Sequence, residues 1–70
     1  MIYLNGTMFE YRPGMSLPEL VEIYNIDNPI IAIDGFMIVV NEIAITASQA
    51  RALLLQENDK IFFAPMLTGG

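Results

Sequence analysis

The chain has 70 residues, enough for one domain. At that size folding buries only about 60% of the surface that the unfolded chain exposes, so the core must be dense in apolar side chains, and a 54% hydrophobic composition supplies it. With no cysteine and no histidine, the sequence lacks disulfides, thiolate metal ligands, the commonest general base and the most reactive nucleophile. Eight acidic residues against Arg12, Arg51 and Lys60 give a net charge of -5, which repels phosphate backbones and anionic lipid. Nucleic acid and membrane are therefore not expected partners; proteins with basic grooves are.

The longest apolar run, Phe36–Val40, falls far short of the roughly 18 residues a membrane span needs. Met1-Ile2-Tyr3-Leu4-Asn5-Gly6 has neither the basic segment nor the long apolar stretch of a secretory signal. A cytoplasmic location is the expectation.

In chain order, residues 1–4 and 7–11 are two β-favouring runs separated by Asn5-Gly6, the pair that best tolerates a type I′ turn, and predict an N-terminal hairpin. Arg12-Pro13-Gly14 breaks the pattern. Ser16-Leu17-Pro18-Glu19 has capping-box spacing: the serine hydroxyl accepts from the Glu19 N–H, and the glutamate reaches back to the Ser16 N–H. Leu17, Leu20, Val21 and Tyr24 then fall on one helical face, turned away from Glu19 and Glu22 and suited to packing on a sheet.

Asn25-Ile26-Asp27-Asn28-Pro29 ends that helix, and residues 30–33 predict a strand. Asp34-Gly35 reads as a tight turn, Phe36–Val40 as another strand, and Asn41-Glu42 as a break before Ile43-Ala44-Ile45. Thr46 and Gln49 have capping-box spacing ahead of a short second helix over residues 47–55. After a polar turn at Gln56-Glu57-Asn58-Asp59, residues 60–64 predict a final strand that Pro65 stops. Residues 66–70 should protrude. A sheet with one main helix across a face is an α+β domain, here residues 1–65 with a tail at 66–70.

Few residues invite chemistry. Glu19 and Glu22 could share a cation, but a solvated, capping face is the plainer reading. Asp34, Glu57 and Asp59 read as turn formers rather than metal ligands, and Gly6, Gly14 and Gly35 as isolated turn glycines rather than a phosphate loop. No metal site and no catalytic residue is predicted. The five methionines read mainly as adaptable core fillers, with Met66 and Leu67 set apart as apolar residues beyond the last strand. The remaining feature is the end itself, Leu67-Thr68-Gly69-Gly70. Its bland readings are a truncation point or a frayed tail, and its functional reading makes the terminal carboxylate the working group.

Together, the Asn5-Gly6 hairpin, Gly14-Met15-Ser16-Leu17-Pro18-Glu19-Leu20-Val21, Glu57-Asn58-Asp59-Lys60-Ile61 and Gly69-Gly70 resemble the ThiS/MoaD family of ubiquitin-like sulfur carriers. The resemblance runs nearly end to end and is strongest in the glycines just beyond the last strand. It implies a ubiquitin-like β-grasp fold: a mixed sheet, one main helix packed across it and a short second helix. Where the family has an Asn-Gly turn near the middle, either Asp34-Gly35 or Asn41-Glu42 could stand, which leaves the register of the central strands open. Asn58-Asp59 replaces the family's glycine-aspartate, and asparagine tolerates the left-handed conformation such a turn needs.

By the same resemblance the protein is a co-substrate, not an enzyme, and binds no cofactor of its own. A ubiquitin-activating-like adenylyltransferase (ThiF-like) uses ATP to adenylate the Gly70 carboxylate, and a sulfur donor protein then displaces AMP to leave a thiocarboxylate. Gly70 is the attachment point, and Met66, Leu67, Thr68 and Gly69 form the partner-binding tail. Two residues without Cβ can thread a narrow cleft, while Met66 and Leu67 offset the entropy of ordering the tail. The Ser16-Leu17-Pro18-Glu19-Leu20 segment looks like the thiamine branch, whose acceptor is a thiazole synthase (ThiG-like). Phe62-Phe63-Ala64-Pro65 resembles the alternative, the small subunit of molybdopterin synthase. A β-grasp module that only binds is the third reading.

Overall fold

Asn5 and Gly6 set the first element. In the computed structural model, which describes residues 1–66, they have φ of 49° and 82°, the successive left-handed conformations of a type I′ turn. A Cβ on Gly6 would meet no atom within 4 Å, so this glycine serves its φ angle rather than a lack of room. The turn joins β1 (Ile2–Leu4) to β2 (Thr7–Phe9), with Ile2 opposite Phe9 and Leu4 opposite Thr7. β2 ends at Phe9, opposite Ile2, short of the predicted Tyr11.

Helix α1 (Leu17–Asp27) starts at its predicted cap: the Ser16 hydroxyl accepts from the Glu19 N–H at 3.3 Å. The Glu19 carboxylate, however, accepts from that hydroxyl at 3.4 Å instead of reaching the Ser16 N–H. Pro18 lies in the first turn, where a missing N–H costs no helical bond. Leu17, Leu20, Val21 and Tyr24 are all buried, as their spacing predicts. The helix runs on through Asn25 and Ile26, and the Asn28 amide donates to the Tyr24 carbonyl at 3.0 Å as it ends.

Residues 30–33 do not form the predicted strand. The Asn25 side chain accepts from the Ile31 N–H at 2.8 Å and donates to the Ile31 carbonyl at 2.9 Å, giving this segment the pairing that a neighbouring strand would otherwise provide. Ile31 is buried and Ile30 exposed. Asp34-Gly35 then turns the chain into β3 (Phe36–Val40). The central hairpin lies at Asn41-Glu42, with φ of 49° and 72°, and leads into β4 (Ile43–Ile45) with Val40 opposite Ile43. The register left open by the sequence is thereby settled.

Helix α2 (Ala47–Arg51) has both bonds of the predicted capping box, Gln49 N–H to Thr46 Oγ1 at 3.1 Å and Thr46 N–H to Gln49 Oε1 at 2.8 Å. It stops well short of residue 55. The leucines after it bond to the chain at the start of α1 instead: Leu17 N–H to the Leu53 carbonyl at 3.0 Å, and Leu55 N–H to the Met15 carbonyl at 2.8 Å. Past a turn in which Asn58 adopts φ 72°, β5 (Lys60–Pro65) completes the sheet. Pro65 is the strand's last residue, opposite Phe36, rather than the first one outside it.

The strand order is β2-β1-β5-β3-β4. β5 runs parallel to β1 and antiparallel to β3, while the two outer pairs are antiparallel hairpins. Ile2, Leu4, Ile38, Ile61 and Phe63 from the sheet share one core with Leu17, Leu20, Val21 and Tyr24 of α1 and Ala50 of α2, so both helices cover the same face. Burying a Leu, Ile or Phe side chain stabilises by about 1.5–3 kcal/mol, and this shared layer is the main support of the fold. The molecule is a small α+β unit, and among the described residues no helix is long and apolar enough to cross a membrane.

Candidate functional site

β5 alternates: Ile61 and Phe63 are buried, whereas Lys60 and Phe62 are exposed. Pairing carries that alternation across the sheet, with Val39 opposite Phe62, Met37 opposite Ala64, and Tyr3 opposite both Lys60 and Met8. Tyr3, Met8, Met37, Val39 and Phe62 therefore stand on the face that the helices leave uncovered. Met8, Met37 and Phe62 keep more than half of their surface in contact with solvent, at 59%, 51% and 58%. Two shallow depressions on this face meet at Lys60 and Phe62, one bordered by Val39 and Glu42 and the other by Tyr3 and Gly6.

This face corrects the reading of the methionines. Met15 alone among them is buried, while Met1, Met8, Met37 and Met66 are exposed. Strand parity decides it for Met8 and Met37, which alternate with inward-facing neighbours. Sequence reasoning missed Met8, Met37 and Phe62 as candidate contact residues, although a signal was present. Phe36–Val40 is continuously apolar, the pattern of a strand covered on both faces, yet the helical segments supply only one covering layer.

The strand leading to the predicted tail is held on both flanks. Asn5 accepts from the Phe63 N–H at 2.8 Å and donates to the Phe63 carbonyl at 3.2 Å. Asn41 accepts from the Lys60 N–H at 2.9 Å and donates to Asp59 at 2.8 Å, and the other Asp59 oxygen accepts from the Gln56 N–H at 2.8 Å. The two residues that open the hairpin turns thus also clamp β5, Asn41 at its first residue, Lys60, and Asn5 at Phe63. Asp59 performs the predicted turn chemistry, its buried carboxylate bonded through both oxygens. The Phe36 and Phe63 rings pack at 6.3 Å, tilted by 56°, near the end of the strand.

Of the predicted tail, Met66 is described: its side chain is exposed, and its N–H donates to the Gly35 carbonyl at 3.2 Å, so its backbone is still tied to the domain. Leu67, Thr68, Gly69 and Gly70 lie outside the described residues. The acidic residues are dispersed. Asp34 pairs with Arg51, Glu57 with the Met1 amino group, and Glu19 and Glu22 lie exposed on α1. Among the described residues no three His, Cys, Asp or Glu side chains converge on a point where a metal ion could sit.

No model of a known protein family matches the chain, and no curated protein is significantly similar to it.

Proposed function

We propose that this chain is a sulfur carrier with a ubiquitin-like β-grasp fold, serving thiamine thiazole synthesis. The observation that carries the reading is the placement of the strand leading to Gly69-Gly70: β5 is paired on both sides within a mixed sheet, beside an apolar face that neither helix covers among the described residues. A covalent carrier needs a rigid body for its partner to grip and a narrow tail for the partner's active site, and β5 joins the two.

In this reading an adenylyltransferase grips the face around Phe62, Met37 and Met8, while the tail enters its catalytic cleft. The Gly70 carboxylate attacks the α-phosphate of ATP, forming an acyl-adenylate and releasing pyrophosphate. A persulfide of a sulfur donor protein then attacks the acyl carbon and displaces AMP, forming an acyl disulfide, and a second thiol breaks its S–S bond, leaving the thiocarboxylate and a disulfide on the donor side. ATP and the catalytic groups belong to the partner; this protein contributes the carboxylate and the docking surface.

The test is to incubate the 70-residue chain with its activating enzyme, ATP and a sulfur donor, and to read the intact mass. Replacement of one terminal oxygen by sulfur is expected, and removal of Gly70 should abolish it. An unchanged mass with the correct activating enzyme would overturn the proposal. Phe62→Asp should reduce loading by more than about tenfold, as for an interface residue worth about 2 kcal/mol, without lowering the thermal midpoint. Phe62-Phe63-Ala64-Pro65 keeps a molybdopterin synthase subunit as the second reading, and the partner recovered from native lysate separates the two: a thiazole synthase or a molybdopterin synthase large subunit.

A further inference from the structure

Asn5 carries a reactivity that none of its structural roles uses. It is the one asparagine of the chain followed by glycine; the others precede Ile26, Pro29, Glu42 and Asp59. Without a Cβ, Gly6 leaves its backbone nitrogen open to approach the Asn5 side-chain carbonyl carbon, whereas a side chain hinders that approach and proline has no N–H to lose.

We propose that Asn5 is a deamidation site that the folded sheet holds closed. In the reaction the Gly6 amide nitrogen loses its proton and bonds to Asn5 Cγ, the Cγ–Nδ2 bond breaks, and ammonia leaves with that proton. The resulting cyclic imide is opened by water at either carbonyl, giving aspartate or isoaspartate. The net change is one water consumed and one ammonia released, with no oxidation or reduction.

The fold opposes the first step. Both polar ends of the Asn5 amide are bound to Phe63, at 2.8 Å and 3.2 Å, so the group is pinned against β5 and cannot swing onto the Gly6 nitrogen. The Asn5 N–H is held as well, by the Ile61 carbonyl at 3.0 Å. Attack requires the β1–β2 hairpin to part from β5. Once it has occurred, reclosure is disfavoured, because aspartate sets a carboxylate oxygen against the Phe63 carbonyl where an N–H donor had been. Isoaspartate adds a backbone carbon to a turn that tolerates no extra length. The modification therefore makes a transient opening of the sheet permanent, at the strand that leads to Met66.

The test is peptide-level mass spectrometry of the full chain held in mildly alkaline buffer, folded or in urea, with the other four asparagines as internal references. In urea, Asn5 is expected to convert faster than every other asparagine, and Gly6→Ala should slow it several-fold there, where any folding defect of that variant is irrelevant. In the folded protein, Asn5 conversion should be slower by about tenfold or more, as for an opened state populated at about 10% or less. Equal rates in the two conditions would overturn the gating. Conversion in urea no faster than at the other asparagines would overturn the site.

Discussion

Asn5, Asn25 and Asn41 each use a side-chain amide as a substitute peptide group, binding a distant backbone where a strand or turn leaves it unpaired. Where the backbone is partly buried, as at Ile31 and Phe63, removing such a group leaves it without a partner, which costs about 1–3 kcal/mol. Asn25→Ala should therefore lower stability by about that amount in urea titration, through loss of both bonds to Ile31. Glu42 presents the opposite case. At φ 72° it occupies a conformation that costs most side chains about 1–2 kcal/mol, and Glu42→Gly should raise stability by about 0.5–1 kcal/mol after glycine's greater unfolded-state entropy is subtracted. At this scale the sequence was legible only for local relations. Asn5-Gly6 declares a turn because both angles belong to adjacent residues, whereas nothing in the sequence shows that Asn25 will hold Ile31.

The helix starts were equally legible, since a cap is made within four residues. Ser16 and Thr46 both bond the N–H three positions on. Thr46→Ala should cost about 1 kcal/mol, read as a lower urea midpoint with an unchanged slope. The end of α2 was not legible. Alanine and leucine favour a helix through residue 55, yet Leu53 and Leu55 gain bonds to Leu17 and Met15, and Leu55 gains burial, by leaving it. The predicted strand at residues 30–33 failed for a related reason. Apolar runs of this length mark burial, and Ile31 achieves burial from a loop whose backbone is satisfied by a side chain.

Among the described residues, apolar side chains divide into a layer that the helices cover and one that they leave open. Leu20, fully buried between helix and sheet, should cost about 2–5 kcal/mol as Leu20→Ala, a large share of the total for a domain of this size, and the thermal midpoint should fall steeply. Met37→Ser on the open face should change stability by no more than about 0.5 kcal/mol, because its side chain is already half in water. That contrast, measured in one denaturation series, separates the residues that hold the fold from those available to a partner.

By itself the sequence determined the turns, the helix starts, the apolar face of α1 and most of the strands, because each depends on a few neighbouring residues and on a period of two or 3.6. It also carried the resemblance from which the role of Gly70 is proposed. Only the tertiary structure decided which strands lie side by side, where α2 yields to pairing with the chain at the start of α1, and which side of the sheet the helices leave uncovered. Those outcomes depend on contacts between residues far apart in the chain. Phe62 and Phe63 are alike in the sequence, and register alone sends one to solvent and the other to the core.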